Sequence, residues 1–403
     1  MKRDVFHITG YILLTFGFIW LIRLIPMNIP ILDPLNDQIG QYDINDRVFS
    51  QLRDHHSVAL DTNLVIINSE TNDRIELSKA IEKLDSLGTK VVGFDILLDS
   101  LKGVVEDSLL KNSIQGSKVP IVFGDIITDG KIIAEPHPFF EIAENTAYCN
   151  FSSHESFAVR AYSPFLGLDE HFTSKIIFFY NRNTYKQLYD RGCEREWINF
   201  RRKQGGEVNH IFPVNQDSID KFMMVNITDF LKEKNEDIHQ TYRNKIVLIG
   251  YCGDSDKSIS MKDRFITPLN EYPGRTIPDM HGVFVHANIL TMIITDDYIY
   301  DVPSWLVHVL SFIILMAGYR LFEKYPFDGS WKVMIYTRAI QLGLLFILCT
   351  MFSAWLLNHL NIKLPCVLLA TIIIISHEMY EFYHGYFKKH VARLYDHIPW
   401  LDK

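Results

Sequence analysis

Polar side chains follow several short apolar runs of this sequence. Asn68 follows the run NLVII, Asp95 lies in VVGFDILL, Asp125 follows VPIVFG, and Tyr251 and Asp254 follow KIVLIG. If these runs are parallel strands, their carboxyl ends share one edge of a sheet, where open α/β sheets bind ligands. Carboxylate groups there could accept hydrogen bonds from a ligand, and the amide group could both accept and donate them. The five residues are therefore candidate ligand-binding residues, although turns and helix caps are the commoner use of such residue types.

Histidine and aspartate side chains in the later part of the sequence could bind a metal ion, but their spacing along the chain does not match a metal-binding motif. His281 and His286, with Asp254, Asp256 and Asp263, could supply ligands, yet no compact metal-binding pattern is present. A structural hydrogen bond from His286 is the simpler interpretation. The sequence also lacks the G-x-S-x-G, Walker, H-E-x-x-H and C-x-x-C motifs. We therefore expect no metal, no cofactor and no enzymatic activity.

The five cysteines cannot form the dense disulfide framework of small secreted proteins. Cys149, Cys193 and Cys252 allow one bridge at most, and their wide separation favours no particular pair. Cys349 and Cys366 lie in apolar segments, where cysteine packs as a small apolar side chain.

Charge is distributed unevenly along the 403 residues. The formal net charge is −8, but residues 27–303 hold 28 basic and 41 acidic side chains, whereas the two ends have a balance of +5. The acidic total argues against a nucleic-acid-binding protein, and 48% hydrophobic residues argue against disorder. The chain therefore combines an acidic soluble part with basic, apolar ends.

Four apolar windows explain those ends. Three contain no Asp, Glu, Lys or Arg and reach the length of about 17–20 residues that a membrane span needs. The fourth qualifies if its helix continues past Glu378 and Glu381. The first window could instead be a cleaved signal peptide, but no A-x-A-like site follows it, so we favour a retained anchor. The windows are 5–22, 302–319, 339–362 and 364–377.

The basic residues near the ends of these windows predict their orientation. Basic clusters lie before the first window, between the second and third, and after the fourth, so all three fall on the cytoplasmic side if there are four spans. The predicted organisation is a cytoplasmic amino terminus at 1–7, transmembrane helix 1 at 8–26, an extracytoplasmic domain at 27–303, transmembrane helix 2 at 304–323, a cytoplasmic loop at 324–335, transmembrane helix 3 at 336–357, an outer loop at 358–363, transmembrane helix 4 at 364–385 and a cytoplasmic tail at 386–403.

The large acidic segment alternates strand and helix patterns. Because strands joined by helices favour right-handed crossovers, we expect an α/β domain with a largely parallel, possibly mixed sheet, beside an α-helical four-span region. The aromatic groups at 139–140 and 178–180 suggest strands and packing under loops, and the charge-rich stretch 190–206 is predicted to be exposed. The predicted strands are 63–67, 91–98, 119–123 and 245–249, and the predicted helices are 76–87, 107–114 and 286–294.

Several motifs resemble one family of sensory domains. KVVGFDILLD (90–99) is similar to the early motif of the type-two CHASE domain, an extracytoplasmic sensor of bacterial histidine kinases and nucleotide cyclases. NKIVLIGYCGDSD (244–256), DRFITPL (263–269) and GVFVHANIL (282–290) resemble its carboxyl-terminal half in order and content. AYCNFSSHESFAVRAY (147–162) and WINFRR (197–202) resemble its middle, so the resemblance covers roughly residues 40–300. One span before the domain and three after it are also usual in that family.

The resemblance implies a bacterial inner-membrane, multi-pass sensor whose residues 27–303 are periplasmic and whose termini are cytoplasmic. Relatives commonly continue into a cytoplasmic effector, but only some 18 residues follow Gly385, so we expect a separate cytoplasmic or membrane effector protein. The helix at 286–294 leads almost directly into the second span and is the expected coupling element. A homo-dimer or hetero-oligomer is expected, with the lipid bilayer but no nucleic acid as a partner. The alternative is a scaffold subunit of an envelope complex, which uses the domain only for docking.

Overall fold

The computed structural model describes residues 2–24, 44–53, 61–128, 131–151, 158–202, 222–253, 261–270, 277–325 and 331–396. The chain forms two compact units, one made of Met1–Val48 with Tyr300–Lys403 and the other of Phe49–Ile299. The chain begins with helix α1, Lys2–Leu24, and a later helical turn at Ile44–Arg47 continues into the π-helical segment Val48–Leu52.

The unit Phe49–Ile299 is a mixed α/β domain with a seven-stranded sheet of order β10–β1–β11–β2–β3–β4, in which β5 also pairs with β3. The pairs are parallel except β3–β4. The strands are β1 Leu64–Asn68, β2 Val91–Asp95, β3 Ile121–Thr128, β4 Lys131–Ala134, β5 Thr146–Tyr148, β6 Ala161–Tyr162, β7 Phe165–Leu166, β8 Asp169–Glu170, β9 Glu196–Trp197, β10 Met223–Asn226, β11 Ile246–Gly250, β12 Arg264–Phe265 and β13 Met280–His281. The helices are α2 Arg74–Ser86, α3 Val104–Gly116, α4 Phe172–Tyr180, α5 Arg182–Asp190, α6 Ile227–Lys232, α7 Asn235–Tyr242 and α8 Gly282–Thr295.

The predicted α/β class is confirmed, and the predicted strands and helices are present with shifted ends. α2 begins earlier than expected because the Asp73 carboxylate accepts hydrogen bonds from the N–H groups of Ile75 and Glu76. β2 stops at Asp95, where its pairing with β11 also ends. α8 begins at Gly282, four residues before the predicted start.

Two predictions about the middle of the domain are wrong. The aromatic group at 178–180 belongs to helix α4 rather than to a strand, because buried apolar residues at positions 172, 176 and 177 have helical spacing. Residues 196–202, predicted to be exposed, include the buried side chains of Ile198 and Phe200. Apolar side chains can be buried in this charge-rich stretch because nearby charged side chains form ion pairs. Arg191, for example, pairs with Glu196 at 2.6 Å.

Helices cover both faces of the sheet. Val65, Phe94 and Val247 belong to the apolar cluster that includes buried residues of α2 and α6. On the other face, Gly93 leaves room for α4, since a side-chain carbon at this position would come within 2.6 Å of Ile176. Gly250 lies on this second face beside Val283 of α8. The second face therefore brings α4 and α8 close to the carboxyl ends of β2 and β11.

In the described part of the other unit, four helices are long and apolar enough to cross a membrane. Besides α1 they are α9, Ser304–Lys324, then α10, Trp331–Phe346, which continues through Ile347–Phe352 into α11, Ser353–Leu360, and finally α12, Cys366–Phe382, which continues through Tyr383–Phe387 into α13, Lys388–Asp396. Two short parallel strands also belong to this unit, β14 at Tyr300–Asp301 and β15 at Ile362–Lys363.

Polar contacts tie these helices together. The Tyr11 hydroxyl donates to the carbonyl oxygen of Ser376 at 2.9 Å, and His7 Nδ1 lies 3.0 Å from the Tyr383 hydroxyl. Glu378 forms an ion pair with Arg338. Because α1 contacts the carboxyl-terminal helices through buried aromatic rings, both ends of the chain belong to one helical core.

The helix predicted to lead almost directly into the second span, α8, is separated from it by residues 296–303. α8 ends at Thr295, and Asp296 follows in the left-handed conformation with φ of 55°. A residue in that conformation stops an α-helix. The segment before α9 is instead extended at Tyr300–Asp301.

Candidate sensory site at the sheet edge

Asn68 holds together the ends of three neighbouring strands. Its side-chain amide donates to Asn226 Oδ1 at 3.0 Å and to the Gly253 carbonyl oxygen at 3.1 Å. Its Oδ1 accepts a hydrogen bond from the Cys252 N–H at 2.8 Å. The side chain is fully buried, so Asn68 positions the loop that follows β11 through contacts with the protein itself.

Asp95 ends β2 on the face that α8 covers. Its Oδ1 lies 3.9 Å from His286 Nε2, and its side chain is 12% exposed. Among the described residues, Oδ2 has no hydrogen-bond partner. Burial, together with the nearby Asp263, raises the pKa of Asp95 well above its ordinary value. Asp95 is thus a largely enclosed carboxyl group with unused hydrogen-bonding capacity.

Two buried histidines lie next to this carboxyl group. The ring centroids of His171 and His286 are 5.4 Å apart, and the ring of Phe151 lies 4.6 Å from that of His286. His171 Nδ1 pairs with the Thr173 hydroxyl at 2.7 Å, so it caps α4. Burial lowers the pKa of His286 to about 3 and that of His171 well below its usual range. Both imidazoles are therefore neutral, and within the described part of the chain His171 Nε2 and His286 Nδ1 form no hydrogen bond.

Asp263 supplies a second carboxylate. Its backbone is left-handed, with φ of 52°, and its carbonyl oxygen accepts a hydrogen bond from the Gly282 N–H at 3.0 Å. Burial raises its pKa to about 6, while the Gly282 N–H and Lys262 oppose the shift. The residue as a whole remains exposed, so local packing around the carboxylate rather than complete enclosure causes the shift. Asp263 thus lies at the rim of the site.

Two thiols complete the cluster. Burial is the main reason why the pKa values of Cys149 and Cys252 are raised, and the charges of Asp95 and Asp263 add to the effect at both. The Cys149 thiol also contacts the carbonyl oxygen of Asp125 at 3.1 Å. No disulfide joins the five cysteines, all of which lie in the described part of the chain. The sheet edge therefore combines carboxyl, imidazole and thiol groups in a mainly buried setting.

The sequence-predicted residues have different surroundings in this arrangement. Asp125 lies one strand farther along, where burial and then Asp169 and Glu135 raise its pKa to about 6. The Tyr251 ring contacts that of His281 at 5.4 Å and lies beneath the Lys262 ammonium at 4.8 Å. Asp254 and Asp256 lie outside the described residues. No group of three His, Cys, Asp or Glu side chains in the described ranges is placed to hold a metal ion.

Sequence reasoning missed His171 and Cys149 as members of this cluster. Neither residue lies in a segment with a clear helical or strand pattern. Both come close to Asp95 only through the tertiary packing of the domain. The only available signal was that Cys149 lies within a motif shared with the sensory family.

The comparison with protein families agrees with the fold and the motifs. The model of the CHASE2 domain matches residues 31–319. The chain belongs to the CHASE2 domain family. This is a family of extracellular sensory domains rather than catalytic ones. No curated protein and no solved structure matches the chain.

Family membership changes how the sheet edge is interpreted. In a CHASE2 domain, a mainly buried cluster of ionisable groups is a candidate for recognition rather than for catalysis. The four apolar helices of the chain suggest a multi-pass membrane protein that carries this extracytoplasmic sensory domain.

Proposed function

We propose that the protein is a bacterial inner-membrane sensory subunit. Its CHASE2 domain would bind a ligand or protein in the periplasm, and its membrane helices would pass the bound state to a separate effector polypeptide. Membership of the CHASE2 family carries this proposal, and the candidate spans on both sides of the domain support it.

The Asp95–His286 contact is the proposed recognition site. A ligand that donates a hydrogen bond to Asp95 Oδ2 would satisfy an acceptor that has no partner in the described structure. His286 belongs to α8, so a ligand that changes its separation from Asp95 would favour one position of α8 over another. Ligand binding would in this way shift the backbone of α8.

The replacement Asp95→Asn tests this proposal. Asparagine keeps the planar shape of the carboxyl group, so the domain should still fold, but its side chain has one acceptor oxygen instead of two and cannot ionise. Tagged full-length chain would be recovered from its native membranes, and co-purifying proteins would be quantified relative to the chain. We expect at least one partner to change several-fold in amount. Asp229→Asn, at a more exposed position on α6, is the matched control.

A fixed scaffold would behave differently. If the same partners co-purify at unchanged ratios with the wild-type chain, Asp95→Asn and Asp229→Asn, while all three are expressed equally, the sensory proposal is wrong. Such a result would favour the role of a structural envelope subunit.

A further inference from the structure

Arg53 has an unusual environment for an arginine. Its residue surface is 6% exposed, and in the described part of the chain none of its three guanidinium nitrogens has a hydrogen-bond acceptor. The Arg53 guanidinium lies over the Phe49 ring, 4.9 Å from the ring centroid. Burial lowers the pKa of Arg53 to about 9, which still leaves the group charged at neutral pH.

The charges around Arg53 do not neutralise it. Arg201 and Asp297 are near enough to affect it electrostatically, but they already pair with each other through two hydrogen bonds of 2.7 and 3.0 Å. Arg202, also buried, is influenced by Asp61. The Asp61 carboxylate accepts hydrogen bonds from the Thr291 hydroxyl and the Asn63 N–H. The group thus contains three arginines and two aspartates, and among the described residues neither aspartate forms a hydrogen bond with the Arg53 guanidinium.

A buried guanidinium without an acceptor costs several kcal/mol. Arginine satisfies this requirement well with carboxylate or phosphate oxygens, which accept two parallel N–H bonds. We propose that Arg53 is the centre of an oxyanion-binding site, with Arg201 and Arg202 adding positive potential. The ligand is a singly charged carboxylate or phosphate group, from a small molecule or a lipid headgroup.

The site is distinct from the sheet edge at Asp95. Asp61 precedes β1, so this group lies toward the amino-terminal ends of the strands, whereas Asp95 lies at a carboxyl end. In the sequence, Arg53 lies in the segment that follows α1, and Asp297 lies seven residues before α9. The oxyanion would therefore bind to Arg53, in the chain segment between the first candidate span and β1, and its binding does not depend on the proposed sensory function.

The test compares the wild-type chain with Arg53→Met, full length and in nonionic detergent. Thermal unfolding would be measured in chloride, acetate and inorganic phosphate at constant pH and ionic strength. Binding to the folded state should raise the wild-type Tm by about 3 °C or more at tens of millimolar oxyanion. Arg53→Met should not respond, and in chloride it should be at least as stable as wild type, because methionine removes the unpaired charge. Lys232→Met, at an exposed position, should respond like wild type.

An absent response in the wild-type chain, or an equal response in Arg53→Met, would overturn the proposal. If Arg53→Met does not fold, Arg53→Lys keeps the charge without the planar fork, and its half-saturating phosphate concentration should rise about tenfold. An unchanged concentration would also overturn it. Nanodiscs without added oxyanion distinguish the two sources of the ligand. If anionic but not zwitterionic lipid stabilises the wild-type chain more than Arg53→Met, the ligand is a lipid headgroup. If the wild-type chain responds only to added phosphate or acetate, the ligand is a small molecule.

Discussion

Gly250 and Asp95 lie opposite each other at the ends of β11 and β2, and a side-chain carbon on Gly250 would come within 3.3 Å of the Asp95 Cβ atom. The same carbon would lie 3.1 Å from Val283 in the first turn of α8. The absence of a side chain at Gly250 therefore allows α8 to approach the sheet closely enough for His286 to reach Asp95.

Gly93 tests how closely α4 packs on the same face of the sheet. We expect Gly93→Val to lower the free energy of unfolding by at least about 2 kcal/mol, because overpacking a tight core strains it. Its added carbon would lie 2.5 Å from Leu248 and 2.6 Å from Ile176. Chemical denaturation followed by tryptophan fluorescence measures the effect. Gly116→Ala is the control, since nothing lies within 4 Å of a carbon added there; equal stability of the two variants would contradict this packing.

The buried ion pair between Arg74 and Asp107 should be costly to break. Arg74 Nε lies 3.2 Å from Asp107 Oδ1, and the two side chains are 3% and 2% exposed. Asp107 Oδ2 also accepts the N–H groups of Lys102 and Gly103 ahead of α3. We expect Arg74→Leu to destabilise the domain by about 3–5 kcal/mol, because an unpaired carboxylate remains buried. In the same denaturation assay, Lys232→Ala should cost at most about 0.5 kcal/mol; similar losses would mean that burial does not govern the cost.

His286 should make the domain sensitive to acid. Burial lowers its pKa to about 3 in the folded state, so between pH 3 and the ordinary value near 6.5 the unfolded chain binds a proton that the folded chain does not. The contribution of the neutral His286 side chain to the free energy of unfolding is thus lost as the pH falls through this window. His286→Asn should reduce the slope of unfolding free energy against pH by up to about 1.4 kcal/mol per pH unit. Denaturation curves at pH 4.5 to 7.5 measure this slope, and His390→Gln, at an exposed position, should leave it unaltered.

Asp125 should have the opposite dependence. Its pKa is raised to about 6, chiefly by burial, so the folded chain keeps a proton that the unfolded chain releases between about pH 4 and 6. Stability from this group is present at low pH and lost as the pH rises through that window. We expect Asp125→Asn to gain on the order of 1–2 kcal/mol relative to wild type between pH 4 and 7. Thermal melts at both pH values test this; a constant difference would show that Asp125 ionises normally.

The proposed orientation in the membrane can be tested with single cysteines. In a background without other accessible thiols, a cysteine at Lys389 should be shielded from a membrane-impermeant maleimide in intact cells, because basic flanks remain in the cytoplasm. Cysteines at Leu360 and at Lys102 in the domain should be labelled from outside. Labelling at Lys389 without permeabilisation would rule out the four-span arrangement.

Local sequence patterns predicted the elements that form the sheet centre. β1, β2 and β11 consist mainly of apolar residues, and α2 has both a periodic apolar face and a stop at Gly88, whose φ is 68°. Such signals depend on near neighbours in the chain, which is why they can be recognised without the structure. The strand β10 was not predicted, because three of its four residues are only partly buried and the strand pairs with β1 more than 150 positions away.

The candidate site could be predicted only in part for the same reason. Asp95 was identified because it ends an apolar run. Its proximity to His286 and His171 depends on how α8 and α4 pack on one face of the sheet, and no local pattern contains this information. Arg53 was not singled out, because the exclusion of its guanidinium from solvent is a property of the tertiary structure alone.

The pairing of β14 with β15 has a mechanical consequence. Tyr300 and Asp301 lie in register with Ile362 and Lys363, so the strand just before α9 is attached to the turn between α11 and α12. Tension on residues 296–299 would load this two-residue ladder before it reached α9. A pull along the chain would then be shared between α9 and the turn that joins α11 to α12. The force on each would depend on whether the pairing of β14 with β15 holds.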